Sequence, residues 1–367
     1  MSKKINVGVI FGGRSAEHEV SLMSAKSLVN AMNKDKYNVY LIGITHQGQW
    51  LYADSSTNAL EYKTVDEQTL LATRIDFSNA SALLINNTEH GNNDVLANLD
   101  VVFPVLHGPY GEDGTIQGLF ELSNLAYVGC GVGASAIAMD KAMAKNAFKA
   151  AGLLQMDYQA YKLSQFSNDR QAVLQQITSS FDFPVFIKPA NMGSSIGISK
   201  AHDNNELLAA ITDAFKYDNK IIIEASAENC AEVECAILGL DNPKASVVGE
   251  ILAGKEFYDY ETKYFDGKST TIIPAKLPEN IMEKVKEAAI KAFEAIDGSG
   301  LSRVDFFVNR TTHDIYINEV NTMPGFTPIS MYSKLWQATG IEYSELVDQL
   351  IDFAFEKHQQ KARLSAY

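Results

Sequence analysis

A chain of 367 residues is too long for one compact core, so two or three domains are expected. Hydrophobic residues make up 46% and charged residues 21%, an ordinary globular composition. The formal charge of −14, with no Lys/Arg block, argues against nucleic acid or anionic membrane as a partner, and no run of about 18 apolar residues could span a bilayer. The three cysteines, Cys130, Cys230 and Cys235, have neither zinc nor redox spacing and read as buried thiols of a reducing compartment. Met-Ser-Lys-Lys leads directly into a β-like stretch and not into a signal-peptide core, so a cytoplasmic location is expected.

Asn6-Val-Gly-Val-Ile-Phe reads as a buried strand, followed by a Gly12-Gly13-Arg14-Ser15 turn and an amphipathic helix over about 16–32. Strand, glycine turn and helix are how doubly wound parallel-sheet α/β domains begin. The turn lacks a full G-x-G-x-x-G, so a dinucleotide site is not supported. Glu17 falls in the first helical turn, where a carboxylate serves either the helix dipole or a ligand. A second strand spans 37–44. Residues 47–98 are polar and turn-rich and assign little. Asp100-Val-Val-Phe-Pro-Val-Leu is a further buried strand, ending in His107 and a loop with glycines at 108, 111 and 114. A histidine at the carboxyl end of such a strand sits where α/β domains place functional groups.

Near Tyr127-Val-Gly-Cys-Gly-Val-Gly the chain changes character, and the expected division is 1–129, 130–223 and 224–367. Asp140 reads as the N-cap of a helix beginning at Lys141. A lysine at the positive end of a helix calls for an anionic partner, which hints at phosphate. Phe183-Pro-Val-Phe-Ile-Lys188 is a strand, and the Gly193-Ser194-Ser195 loop after it is rich in N–H and hydroxyl donors able to wrap phosphate oxygens. No Walker A motif closes that loop. Glu224 and Glu232 flank a turn between two strands and are either surface carboxylates or contacts for an adenine amine and ribose. Residues 256–267, aromatic yet charged, keep neither helix nor strand period and read as an irregular lid.

Arg303-Val-Asp-Phe-Phe-Val and Tyr316-Ile-Asn-Glu-Val-Asn read as a β-hairpin across a polar loop. Alternate side chains share a face, so Arg303 and Asp305 point one way on the first strand and Glu319 and Asn321 do so on the second. The hairpin is either a solvent-facing edge or, if the strands bring these groups together, a site where hard oxygen ligands share Mg²⁺ with substrate phosphates. The rigid Pro/Gly loop that follows offers the bare N–H of Gly325.

Taken together, the chain resembles the D-alanine–D-alanine ligases of the ATP-grasp superfamily. The resemblance rests on Gly12-Gly13-Arg14-Ser15-Ala16-Glu17-His18-Glu19-Val20-Ser21, His107-Gly108 with Gly111-Glu112-Asp113-Gly114-Thr115, Met139-Asp140-Lys141, Ile187-Lys188-Pro189 with Gly193-Ser194-Ser195, Phe257-Tyr258-Asp259-Tyr260 with Lys263-Tyr264, Arg303-Val304-Asp305, and Glu319-Val320-Asn321-Thr322 with Pro324-Gly325. It implies a three-domain ATP-grasp architecture with ATP between the central and C-terminal domains, and ligation of two D-alanine molecules through an acyl phosphate for peptidoglycan precursor synthesis.

The implied roles are as follows. Lys141, Lys188, Ser194 and Ser195 hold phosphates, Lys263 reaches the γ-phosphate, and Phe257, Glu224 and Glu232 serve adenine and ribose. Asp305, Glu319 and Asn321 bind two Mg²⁺, with Mn²⁺ as a substitute. Glu17 takes the ammonium of the first D-alanine, while Arg303 and the Gly325 N–H form an oxyanion hole. His107, Tyr264, Ser330 and Met331 shape the second amino-acid site. Ala225 stands where many relatives carry lysine, so the adenine turn is reshaped. A homodimer is usual in the family. The alternatives are a D-alanine–D-lactate or D-serine ligase, another ATP-grasp carboxylate–amine ligase, or a nucleotide-binding regulator without catalysis.

Overall fold

The computed structural model describes residues 3–53, 60, 64–65, 71–76, 82–87, 92–252 and 270–364. The first sheet holds β1 (Ile5–Gly12), β2 (Tyr37–Ile44), β3 (Trp50–Ala53), β4 (Leu71–Asp76), β5 (Ala82–Asn87), β6 (Asn92–Asn98), β7 (Val101–Pro104) and β8 (Ala126–Tyr127). Their order is β6-β5-β4-β3-β2-β1-β7-β8. The expected parallel sheet is only half of it. β2, β1, β7 and β8 are parallel, and β3 to β6 extend the edge as an antiparallel meander. Strands such as Asn-Asn-Asp-Val-Leu-Ala-Asn have little β-propensity of their own, so pairing with neighbours defines them, and periodicity does not reveal them.

Helix α1 (His18–Ala31) follows β1, and α2 (Thr115–Leu122) follows β7. Because β2 and β7 lie on opposite sides of β1, the sheet has its switch point between β1 and β7, where open α/β sheets bind ligands beyond their carboxyl ends. Glu17 and His107 emerge there.

Next come α3 (Val132–Met139), α4 (Lys141–Ala150), β9 (Tyr158–Lys162), α5 (Leu163–Asn168), α6 (Arg170–Ser180), β10 (Val185–Pro189), β11 (Ser199–Ala201), α7 (Asn204–Ala214) and β12 (Lys220–Ala225). Their strands form an antiparallel sheet in the order β11-β10-β12-β9, with α6 and α7 packed on Ile187, Ile221 and Ile223. The last sheet orders β13 (Cys230–Gly239), β14 (Lys244–Leu252), β15 (Thr270–Ile272), β16 (Gly300–Asn309) and β17 (Ile315–Asn321) as β15-β14-β13-β16-β17. Helices α8 (Glu279–Ala295), α9 (Met331–Thr339) and α10 (Tyr343–Ala362) complete the chain.

The cores cross between these sheets. Tyr332, Trp336, Leu346 and Leu350 of α9 and α10 share one apolar cluster with Val7, Val9 and Phe11 of β1, so the C-terminal helices seal the first sheet. Ala134, Ala144 and Phe148 of α3 and α4 pack with Val233, Val304 and Phe293 of the third sheet's layer. The lysines of α4 are thereby held against the third sheet while facing the second.

Candidate active site

A cavity of about 410 Å³ opens where the three sheets meet. Its acidic wall is the hairpin of β16 and β17. Toward the turn the strands pair Val308 with Ile315 and Phe306 with Ile317; past a bulge at Asn318 they pair Asp305 with Glu319 and Arg303 with Asn321. Without that extra residue Arg303 would face Val320, and Glu319 would turn into the core. The bulge therefore gathers Arg303, Asp305, Glu319 and Asn321 on one face. Arg303 donates from Nε and Nη2 to the two Asp305 oxygens at 2.7 and 2.6 Å, and its Nε also lies 3.0 Å from Glu234 Oε2. The Asn321 amide donates to Asp305 Oδ2 at 3.0 Å.

Three carboxylates (Glu234, Asp305, Glu319) against one guanidinium leave two negative charges on this wall. That excess, carried by hard oxygen donors, fits a divalent cation. Among the described residues no three His, Cys, Asp or Glu side chains are grouped to hold a metal alone. A cation here would complete its shell with substrate oxygens and water.

The opposite wall is basic. Asp140 caps α4 by accepting from the amides of Ala142 and Met143, both at 3.1 Å, and also pairs with Lys220. Lys141, the first residue of that helix, donates to the Met192 carbonyl at 2.6 Å. Burial pushes the Lys141 pKa down, although Glu319 across the cleft acts in the opposite sense. One turn on, Lys145 forms an ion pair with Glu224, as does Lys188 of β10. Burial alone would raise the Glu224 pKa; the charges of Lys188 and Lys145 outweigh it and bring the carboxyl down to about 2. This carboxylate, expected at adenine, is buried and paired with two ammonium groups while lining the cavity. Glu232 also lines the cavity.

The third side comes from the N-terminal sheet. Glu17 occupies the cap position of α1 but makes no capping bond, so its carboxylate does not serve the helix end. Its Oε1 accepts from the Ser194 hydroxyl, joining the Gly193-Ser194-Ser195 loop to the first sheet. Ser194 and Ser195 both have left-handed backbone, with φ of 49° and 60°. His107 is buried between two anchors: Nδ1 donates to the Met323 carbonyl at 3.0 Å and Nε2 accepts from Ser24 Oγ at 3.0 Å. This holds the loop carrying Pro324 and Gly325 against the cavity.

The structure thus brings Glu17, His107, Lys141, Lys188, Ser194, Ser195, Glu224, Glu232, Arg303, Asp305, Glu319, Asn321 and Gly325 to one cavity. It does not bring Ser330 or Met331 to the cavity lining. Ser330 Oγ lies 2.8 Å from Thr327 Oγ1 at the start of α9, and Met331 is core, with its Cε where a side chain on Gly249 would stand. Phe257, Lys263 and Tyr264 lie outside the described residues. Sequence reasoning missed Glu234 and Lys145. Glu234 is two residues from Glu232 on the same strand face, and Lys145 is i+4 from Lys141, so both spacings were available as signals.

An N-terminal α/β sheet with a carboxylate at its switch point, and two antiparallel sheets offering lysines on one side and carboxylates on the other, define an ATP-grasp ligase. The comparisons with known proteins agree with that class. Residues 6–130 match the family model "D-ala D-ala ligase N-terminus" and residues 147–352 match "D-ala D-ala ligase C-terminus". Relatives named D-alanine–D-alanine ligase in Acetivibrio thermocellus and Chloroherpeton thalassium are both 48% identical, covering 99% and 98% of this chain and 99% of each relative. Among solved structures, the VanG D-Ala:D-Ser ligase of Enterococcus faecalis superimposes with a TM-score of 0.84 at 35% identity, over 96% of this chain and 100% of that one. The D-alanine–D-alanine ligase of Coxiella burnetii gives 0.84 at 33% identity, over 99% of this chain and 97% of its own. The chain belongs to the D-alanine–D-alanine ligase family.

Proposed function

We propose that this protein joins two D-alanine molecules into D-alanyl-D-alanine, cleaving ATP to ADP and phosphate, for peptidoglycan precursor synthesis. The observation that carries this reading is the placing of Glu17 across one cavity from a lysine wall and an acidic hairpin. The γ-phosphoryl group passes to a carboxylate oxygen of the first D-alanine, breaking the bond to the ADP oxygen and forming an acyl phosphate. The amine of the second D-alanine, having lost a proton, attacks the acyl carbon. A C–N bond forms, the C–O bond to phosphate breaks, and phosphate leaves.

Glu17, steadied by Ser194, binds the ammonium of the first D-alanine. Lys141, Lys188 and the N–H groups and hydroxyls of the Ser194-Ser195 loop bind the phosphates, and the family resemblance assigns the terminal one to Lys263. Phe186, Ile198 and Phe307 offer apolar surface to adenine, with Glu232 at the ribose; the family resemblance adds Phe257 to the adenine contacts. Arg303, fixed by Asp305 and Glu234, and the Gly325 N–H face the oxyanion of the tetrahedral intermediate. His107 sets the position of the loop that carries Gly325, and Tyr264 completes the acceptor site. Asp305, Glu319 and Asn321 would hold two Mg²⁺ ions, for which Mn²⁺ can substitute, supplying charge neutralisation at the phosphates. The family resemblance supports a homodimer and a cytoplasmic location; among the described residues no helix is long and apolar enough to cross a membrane.

The test is phosphate release with product identification, offering D-alanine, D-serine and D-lactate in turn as acceptors. D-alanyl-D-alanine is expected as the main product near neutral pH. No release with D-alanine, or a product formed chiefly with one of the other acceptors, would overturn the reading.

A further inference from the structure

Lys145 is fully buried, does not line the cavity and nevertheless carries a formal positive charge beside Glu224. Isolating an ammonium in the interior is costly unless its charge is used. Its surroundings fix it closely. The ammonium lies 5.3 Å from the centre of the Tyr158 ring, Tyr158 pairs directly with Glu224 across β9 and β12, and Tyr158 donates to Asn146 of α4 at 3.1 Å. Lys188 reaches the same carboxylate diagonally from β10, where Phe186 is the residue directly opposite Glu224. One carboxylate is therefore gripped from behind by Lys145 and from the cavity side by Lys188.

The charge count explains the arrangement. Glu224 and Lys188 alone would form a neutral pair, and a neutral pair attracts a polyphosphate weakly. Adding Lys145 restores one net positive charge while the carboxylate continues to anchor the Lys188 ammonium. We propose that Lys145 is a positioning residue for phosphate binding: it neutralises Glu224 from inside the protein, so that Glu224 holds Lys188 in place without cancelling the charge Lys188 presents to the nucleotide. The proposal rests on the ATP-dependent reading above, but it is read on nucleotide binding alone and not on ligation.

The experiment compares ATP, ADP and adenosine binding by calorimetry for the full chain, Lys145→Met, and the double variant Lys145→Met with Glu224→Gln. A unit charge acting over roughly 12 Å at an effective dielectric of about 20 is worth about a tenfold change in affinity. Lys145→Met should lose about tenfold for ATP and ADP and leave adenosine within about threefold. Removing the Glu224 charge as well frees Lys188 from cancellation while the Gln amide oxygen still accepts from its ammonium, so the double variant should return to within about threefold of wild type for ATP. A merely structural lysine would weaken adenosine as much as ATP. Equal losses for adenosine and ATP, or a double variant at least tenfold weaker than wild type for ATP, would overturn the proposal. If Lys145→Met alone fails to fold, Lys145→Gln supplies the same comparison of ATP with adenosine. A chain that binds nucleotide as expected but forms no dipeptide would refute the ligase reading and leave this one standing.

Discussion

Gly108 lets the role of Glu17 be tested without touching Glu17. Its φ is +75°, a left-handed conformation that costs an alanine about 1 kcal/mol or more. A Cβ at this position would stand 2.8 Å from Glu17 Oε2 and 2.8 Å from Ser15 Oγ, whereas carbon and oxygen ordinarily approach to about 3.3–3.6 Å. Both oxygens must retreat by roughly half an ångström. Ser15 Oγ is held by the Glu17 amide at 3.0 Å, and Glu17 Oε1 by Ser194, so the strain falls on the carboxylate and its serine together. A shift of that size in a substrate-orienting group costs on the order of 10–100-fold in rate or affinity.

Gly108→Ala should therefore lower folding stability by about 1–3 kcal/mol and raise the KM for the first D-alanine by about tenfold or more. The KM for ATP should stay within about threefold. The assay is ADP release against D-alanine at saturating ATP, with urea unfolding alongside. Gly193→Ala is the internal control: its Cβ would lie 3.3 Å from the same Glu17 oxygen, without left-handed backbone, and should disturb D-alanine binding less. Wild-type D-alanine kinetics in Gly108→Ala, or a larger effect from Gly193→Ala, would refute the placing of the ammonium at Glu17.

Glu319→Gln or Asp305→Asn should cut turnover by more than about 10²–10³ while the protein stays folded; normal ligation at ordinary Mg²⁺ by either variant would show that the hairpin is not the metal site. His18 donates from Nδ1 to the Gly13 carbonyl at 2.8 Å and accepts at Nε2 from the Val65 amide at 3.1 Å, so its ring is neutral; burial first, and then stacked His46, hold its pKa below the ordinary 6.5. The unfolded chain takes up this proton more readily than the folded one, so the His18 contribution is whole above about pH 6.5 and falls as the pH drops, by at most about 1.4 kcal/mol per pH unit. His18→Gln should flatten that slope in urea unfolding between pH 7.5 and 5, and an unchanged slope would refute the assignment. Tyr264→Phe, at a position where the resembled family reaches the serine matching Ser194, should shift product toward D-lactate by about threefold to tenfold in mixed-acceptor assays. An unchanged product ratio would remove Tyr264 from acceptor choice.

The hairpin shows what the sequence makes legible and what it hides. Two strands and a polar turn follow from β-branched and aromatic runs, and the shared face of Arg303 and Asp305 follows from alternation. Simple register from the turn would still have placed Asp305 opposite Asn318. The clue was the spacing of buried residues on β17, Ile317 and Val320, three apart instead of two, which only a bulge accommodates. The lysine wall was half legible. Lys141 and Lys188 announce themselves by helix position and strand end, but that Glu224 pairs with Lys188 and Lys145 depends on how β10 pairs with β12 and how α4 packs across from it, long-range contacts that no local pattern encodes. The antiparallel extension β3 to β6 was illegible for a related reason: its pairing partners, not its own composition, define it.

The two walls also constrain how substrate enters. Lys141, Lys145 and Lys188 against Glu224 leave two positive charges on one side; Glu234, Asp305 and Glu319 against Arg303 leave two negative charges on the other. The walls carry opposite charge and attract each other, Glu319 across the cleft favouring the charged form of Lys141 against the effect of burial. A free polyphosphate would satisfy the lysines but press its own charge against the carboxylates, and a free cation would meet the reverse difficulty. At close range and reduced dielectric each of those like-charge contacts costs several kcal/mol. Only a nucleotide and a divalent cation arriving together replace the attraction they interrupt with favourable contacts on both sides. Under the proposed function the cleft would select the pair before any adenine contact is made, and a divalent ion held there would act in substrate recognition as well as in the chemical step.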